Sequence, residues 1–460
     1  MIVKTGQGAV RGHVEGGIAA FLGVPYAAAP YGEDRFRAPR PHDRWDGVRD
    51  ATRMGPTPPQ LPYTGGLEKV LPSVIIDGDE ILNVNIWAPA EGAGHPVMVW
   101  LPGGALTRGS NALGTYDGRA FARDGVVLVS VNYRLGAEGF SVLDGAPPHL
   151  GLADQVAALR WVRDNIAAFG GDPGRVTVAG QSAGGGSVAA LLAHPSAKEL
   201  MAGAVIQSGP VGPGPAGSSR RITDLMAKDL GIPATREAFA AVSPADLLAS
   251  QARTQRKSAG FGPVPGNEPV VSDPGAALLD GAGADIPLLM GYTAEEYRLW
   301  YAPTGMLDKV TWLHLLAARL KFRVPRRELA ALRRAHPGAS SGEILGDLTT
   351  ELLLRRPMHA LAEARGARTW MYEFGWRSPV HGLGAAHAVE LNYVFDTLGT
   401  PEAEAICGPG GPQELADRMH AAWVRFVTYG APGWPAWEEG RPVMVFDSPG
   451  GGVVRLPGSP

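Results

Sequence analysis

Two apolar runs, Pro96-Val-Met-Val-Trp-Leu101 and Val126-Val-Leu-Val-Ser-Val131, set the pattern of this chain. Neither alternates with polar residues, as a half-solvated strand would, so both read as strands buried on two faces. Shorter runs at 176–179, 204–207, 286–291 and 368–374 predict four more strands, and 81–88 alternates well enough for another. Helical periods lie between them. Leu152, Val156, Leu159, Val162 and Ile166 recur at intervals of three and four. Residues 413–429 form an amphipathic helix stopped by Gly430 and Pro432. Strands alternating with helices imply an α/β protein with a mostly parallel, doubly wound sheet.

Three regions depart from the alternation. Residues 2–12 and 18–26 predict two short strands with glycine turns, a hairpin at a sheet edge. Residues 27–72 are rich in proline, glycine and charge and predict a long irregular surface segment. The stretches 221–260 and 305–365 look helical and predict cap insertions over a site. With no internal repeat and no flexible linker, residues 1–460 read as one domain carrying those insertions.

Composition narrows the function. The chain has 460 residues, 45% of them hydrophobic, which is ample for a large core. Its net charge of −3 offers no electrostatic case for nucleic acid or for an acidic membrane surface. Cys407 is the one cysteine, so no intrachain disulfide is expected. The first residues, Met1-Ile-Val-Lys-Thr-Gly, show no apolar targeting segment. No apolar run reaches about 20 residues, so no membrane-spanning helix is expected. A cytoplasmic protein is therefore expected, monomer or homodimer.

The chemistry centres on Gly180-Gln181-Ser182-Ala183-Gly184. The pentapeptide follows the strand at 176–179 and precedes a small-residue helix at 185–192. A strand, a G-x-S-x-G turn and a helix together hold a serine hydroxyl at the top of a sheet. The pattern alone is weak, because Gly338-Ala339-Ser340-Ser341-Gly342 also matches it. That second match follows no strand, and Ser340 or Ser341 reads as the cap of a helix beginning near Glu343.

A serine nucleophile needs a base, an orienting acid and donors for an oxyanion. Pro102-Gly103-Gly104-Ala105 follows a buried strand and can aim backbone N–H groups at a carbonyl oxygen; Ala183 supplies another. The strand at 286–291 runs into Glu295 and Glu296, either of which could be the acid. His381 and His387 follow the strand at 368–374, either of which could be the base. His336, His359 and His420 fall in predicted helices and are weaker candidates.

Many stretches together resemble the type-B carboxylesterases, the family of bacterial p-nitrobenzyl esterases and cholinesterases. They include Phe21-Leu-Gly-Val-Pro-Tyr26, Arg35-Phe-Arg-Ala-Pro39, Leu82-Asn-Val-Asn-Ile-Trp87, Asn132-Tyr-Arg134, Gly151-Leu-Ala-Asp-Gln155, Gln207-Ser-Gly209 and His387-Ala-Val-Glu-Leu391. The resemblance implies an α/β-hydrolase fold with helical cap insertions. It implies Ser182 as nucleophile, Glu296 as acid and His387 as base, with Gly104, Ala105 and Ala183 as oxyanion donors. Ser208 falls where the family keeps a serine near the triad. Asn132, Arg134 and Asp154 fall in stretches that look structural. The chain departs from the family at Gln181, where glutamate is usual, at Pro102, and at Tyr297, where glycine is usual. Gln181 can still hydrogen-bond its neighbours. Tyr297 is expected to crowd or line the pocket beside Gly103, Trp300 and Tyr301.

The reading that follows is hydrolysis of a small apolar or aromatic carboxylic ester through an acyl-enzyme, with no cofactor and no metal. Two alternatives stand beside it. The same residues could process an amide, a carbamate or a lactone, or transfer the acyl group. The fold could also serve as a non-catalytic binding protein.

Overall fold

The computed structural model describes residues 1–212, 217–255, 257, 260–438 and 440–456. Seven strands lie parallel. In spatial order they are Pro442–Phe446, Thr369–Phe374, Leu288–Thr293, Gly203–Gln207, Gly171–Gln181, His95–Leu101 and Val127–Val131. Antiparallel strands flank them, Val453–Arg455 on one edge and Asn83–Pro89, Ile18–Pro25 and His13–Glu15 on the other.

The unbroken apolar runs follow from helices on both faces. Along His95–Leu101, Val97, Val99 and Leu101 enter one core and Met98 and Trp100 enter the other. The first core is closed by helices Leu150–Asn165, Ala183–Leu192 and Arg356–Arg365, through Leu159, Val188 and Leu361 among others. The second is closed by Gln413–Tyr429, through Met419, Trp423 and Phe426. Burying each such side chain is worth roughly 1.5–3 kcal/mol.

The N-terminal hairpin differs from the expectation. A turn at Gly6-Gln7-Gly8, closed by the Thr5 N–H to Gly8 O bond of 2.9 Å, divides residues 2–12. Ile2–Lys4 and Ala9–Arg11 join Val48–Asp50 in a separate three-stranded sheet. The edge hairpin is instead His13–Glu15 with Ile18–Pro25. Strand Gly171–Gln181 also begins five residues earlier than the apolar run that announced it. Residues 27–72 are largely irregular and are pinned by the buried Arg35–Glu138 ion pair at 2.5 Å.

The two helical stretches sit differently. In 221–260, helices Ser218–Leu230, Arg236–Ala240 and Pro244–Gln255 share a cluster of Ile222, Met226, Phe239 and Leu247 with Phe140 and Leu150. Arg256, Ser258 and Ala259 of that stretch lie outside the described residues. In 305–365, helices Trp312–Lys321, Arg326–Ala335 and Ser341–Thr350 surround a small core of their own, Leu315, Val324, Ile344 and Leu348. Helix Arg356–Arg365 returns to the main sheet.

Candidate active site

The turn after Gly171–Gln181 holds Ser182 at φ 57° and ψ −123°, a conformation an L-residue adopts only under constraint. Two glycines make it possible. A Cβ on Gly184 would lie 2.0 Å from Leu101 O, and one on Gly180 would lie 2.6 Å from the Gly184 carbonyl. The Ser182 N–H donates to Gln207 O at 2.8 Å, which ties the turn to the next strand.

Strand Leu288–Thr293 delivers the two glutamates to different tasks. Glu296 is buried; its Oε1 accepts from the Thr293 N–H at 2.8 Å, and its Oε2 lies 2.5 Å from His387 Nδ1. Glu295 faces Arg298 at 2.7 Å, Arg377, and the Ala385 N–H at 3.0 Å. It thereby anchors the loop that carries His387. His381 is exposed on the turn Val380–Gly382. His336 contacts Asp347, His359 contacts Tyr292, and His420 contacts Val394 O, all apart from Ser182.

Burial lowers the His387 pKa, but the Glu296 charge and hydrogen bond outweigh it, so the net shift is upward from the ordinary imidazole value. The carboxylate at Nδ1 leaves Nε2 as the ring's acceptor. That nitrogen meets Gln181 Nε2 at 3.0 Å, so the amide donates to it. Among the described residues the Ser182 hydroxyl makes no hydrogen bond. The imidazole is therefore held on Gln181 rather than on Ser182.

The glycine turn sits opposite. Tyr133, from the Asn132-Tyr-Arg134 stretch, donates its hydroxyl to Pro102 O at 2.6 Å. Arg134 in turn grips Asp154 at 2.6 Å with both groups buried, consistent with a supporting role. Gly104 has φ 128°, and a Cβ there would lie 2.2 Å from Arg108 O. The N–H groups of Gly104, Ala105 and Ala183 donate to no protein acceptor among the described residues.

Two cavities meet at Ser182. The smaller, about 240 Å³, is lined by His387, Trp300, Tyr63, Leu67 and Val70 together with Gly103. The larger, about 520 Å³, is lined by Phe140, Leu152, Pro210, Phe261 and His149. Trp300 lines the smaller cavity, its ring 4.8 Å from the His387 ring.

Tyr297 does not. It is buried away from both cavities, against Gly346, where a Cβ would come within 2.1 Å of its ring. The glycine in the facing helix accommodates the large residue. Tyr301 packs on Tyr297 at 5.8 Å, and Phe21 packs on Phe169 at 4.9 Å in the core. Ser208 is buried with an unpartnered hydroxyl and lines neither cavity.

Glu390 carries no motif that marks it in the sequence. It is fully buried, accepts from Gln207 Nε2 at 3.4 Å, and its carboxyl is pushed up to about 7 by burial and then by the charge of Glu296. The available signal was a carboxylate three residues after His387 in an otherwise apolar stretch.

Comparison with known proteins gives consistent matches. The model described as the carboxylesterase family matches residues 1–442. The para-nitrobenzyl esterase of Bacillus subtilis (strain 168) is 36% identical, over 97% of this chain and 95% of that protein. The phenmedipham hydrolase of Pseudarthrobacter oxydans is 34% identical, over 99% and 96%. A solved carboxylesterase of Geobacillus stearothermophilus superposes with a TM-score of 0.87 at 35% identity, covering 99% of this chain and 98% of that one.

Proposed function

The chain belongs to the carboxylesterase family and has the α/β-hydrolase fold, and from that premise we propose that Ser182, His387 and Glu296 form the catalytic triad of a carboxylic-ester hydrolase. The observation that carries the reading is the convergence of four distant segments. Ser182, His387, Gly104 and Ala105 line one cavity, and Glu296 holds His387 from behind at 2.5 Å.

The mechanism follows from what each group can accept or donate. The ester carbonyl oxygen lies against the free N–H groups of Gly104, Ala105 and Ala183, each worth about 3 kcal/mol of transition-state stabilisation. Gln181 releases His387 Nε2, which takes the Ser182 proton as Oγ attacks the carbonyl carbon. Glu296 stabilises the imidazolium that forms. A glutamine can follow that change, because its amide offers an acceptor as well as a donor. His387 then protonates the leaving alcohol, and water clears the acyl-enzyme by the reverse path.

The cavities divide the substrate. The leaving oxygen must reach His387, which lines only the smaller cavity, so the alcohol belongs there beside Trp300 and Tyr63. The acyl group belongs in the larger apolar cavity with Phe140, Leu152 and Phe261. The test is hydrolysis of p-nitrophenyl acetate and butyrate against the matching anilides. Ester turnover lost in Ser182→Ala, with little anilide turnover in the wild type, is expected. Anilides cleaved faster than esters would favour the amide alternative instead.

A further inference from the structure

The overall charge of −3 conceals a division. Residues 308–334 hold eight Lys and Arg against Asp308 and Glu328, a local charge of +6. The rest of the chain, with 34 Lys and Arg against 43 Asp and Glu, stands at −9. Glu328 is engaged by Arg356 from outside the stretch. Among the described residues Lys309, Arg319, Lys321, Arg323, Arg326, Arg327, Arg333 and Arg334 form no ion pair.

The same stretch exposes apolar surface. Helix Trp312–Lys321 buries Leu315 in the small core with Val324, Ile344 and Leu348. Trp312, Leu313, Leu316 and Leu320 share an adjoining side of the helix, spaced one, four and eight residues from the first. Trp312, Leu313 and Leu320 keep 62%, 57% and 61% of their surface in water, and Phe322 just beyond is also exposed. A contiguous apolar stripe left uncovered is unusual on a soluble protein and marks a place of contact.

We propose that helix Trp312–Lys321 and the basic turn after it form a docking surface for an anionic lipid–water interface. Trp and Leu along one side with Lys and Arg around them is the arrangement that lies in the headgroup plane of a membrane. The unpaired cations complement acidic headgroups, and the stripe enters the acyl boundary. Other occupants fit less well. Nucleic acid would match the charge but would leave the leucines in water. A second copy meeting the same face would bring like charges together across a two-fold contact.

The surface is coupled in position to the proposed active site. Helix Ser341–Thr350 supports helix Trp312–Lys321 and also the segment bearing Trp300, whose ring lines the smaller cavity. Residues 303 and 304 of that segment abut Gly66, beside the cavity-lining Tyr63 and Leu67. Lipid docking on this helix would thus act beside the segment that carries Trp300.

Sedimentation of the whole chain with vesicles of phosphatidylcholine containing 30% phosphatidylglycerol tests this, against pure phosphatidylcholine at low and high salt. Binding to the acidic vesicles alone, weakened by salt, is expected. Arg323→Ala/Arg326→Ala/Arg327→Ala should lower affinity about 100-fold, at roughly 1 kcal/mol per cation. Trp312→Ser/Leu320→Ser should also lose binding. Hydrolysis of dissolved p-nitrophenyl acetate should be unchanged in both variants, which reports folding separately; if the wild type hydrolyses nothing, the thermal midpoint serves instead. No binding to acidic vesicles, equal binding to neutral ones, or binding that survives both variants would overturn the proposal. So would loss of a dimer in Trp312→Ser/Leu320→Ser with no vesicle binding by the wild type, or tight single-stranded DNA binding that ignores that variant.

Discussion

The pentapeptides at 180–184 and 338–342 satisfy one pattern and are built into opposite structures. In the first, a strand ends at Gln181 and Ser182 is forced to φ 57° at the mouth of two cavities. In the second, Ser340 sits at an ordinary φ of −64° and caps helix Ser341–Thr350, exchanging hydrogen bonds with Glu343 at 2.9 and 3.2 Å. A serine between glycines is therefore held in a strained turn only where a strand and a helix impose it. The same lesson recurs in two further pairs. Glu296 orients an imidazole, while its neighbour Glu295 holds a loop through Arg298 and Arg377. His387 is buried between Glu296 and Gln181, while His381 is in water.

Each pair can be broken by matched substitutions. The largest contrast is expected between Ser182→Ala, with kcat down about 10⁴-fold or more, and Ser340→Ala, with kcat unchanged. His387→Ala should resemble the first and His381→Ala the second. Next, Glu296→Gln should lower kcat by about 10³ to 10⁴-fold, because the imidazole loses the partner that fixes its tautomer. Glu295→Gln should leave kcat within a few-fold and lower the thermal midpoint. Equal losses in the two variants would erase the distinction between them.

The pH profile sharpens the contrast further. The proposed base is neutral His387, whose pKa is raised, so the rate should climb through a window above about 6.5, the unperturbed imidazole value. That places the rise above the ordinary value the sequence alone would give. Glu296→Gln removes the largest raising charge and leaves burial as the leading cause, so its residual profile should move to lower pH. Gln181→Glu adds a carboxylate at Nε2 and should move the profile further up.

Smaller effects concern stability. Glu390 holds its proton up to about 7 in the fold and releases it near 4.5 when unfolded. Between those values the native state binds the extra proton, so stability should fall as pH rises. Glu390→Gln should flatten that slope in urea titrations at pH 5 and pH 8. Ser340→Ala should cost about 1 kcal/mol as a lost cap, read in the same assay.

Much of this was legible in the chain because the relevant physics is local. Buried strands read as unbroken apolar runs, and helix Gln413–Tyr429 read true to both ends because Gly430 closes it at φ 71°. The strand and the turn around Ser182 could be read for the same reason. What could not be read depended on partners far away in sequence. Tyr297 turned from the pocket because Gly346, 49 residues on, leaves room for it. The Gln181–His387 contact needs two segments 206 residues apart to converge. The basic stretch at 308–334 was hidden by summing charge over the whole chain.

Labelling with a fluorophosphonate, followed by mass spectrometry of the digested protein, tests the central claim most directly. One adduct per chain on the peptide containing Ser182, lost in His387→Ala, is the result expected. An unlabelled protein, or an adduct on the peptide containing Ser340 and Ser341, would contradict the assignment.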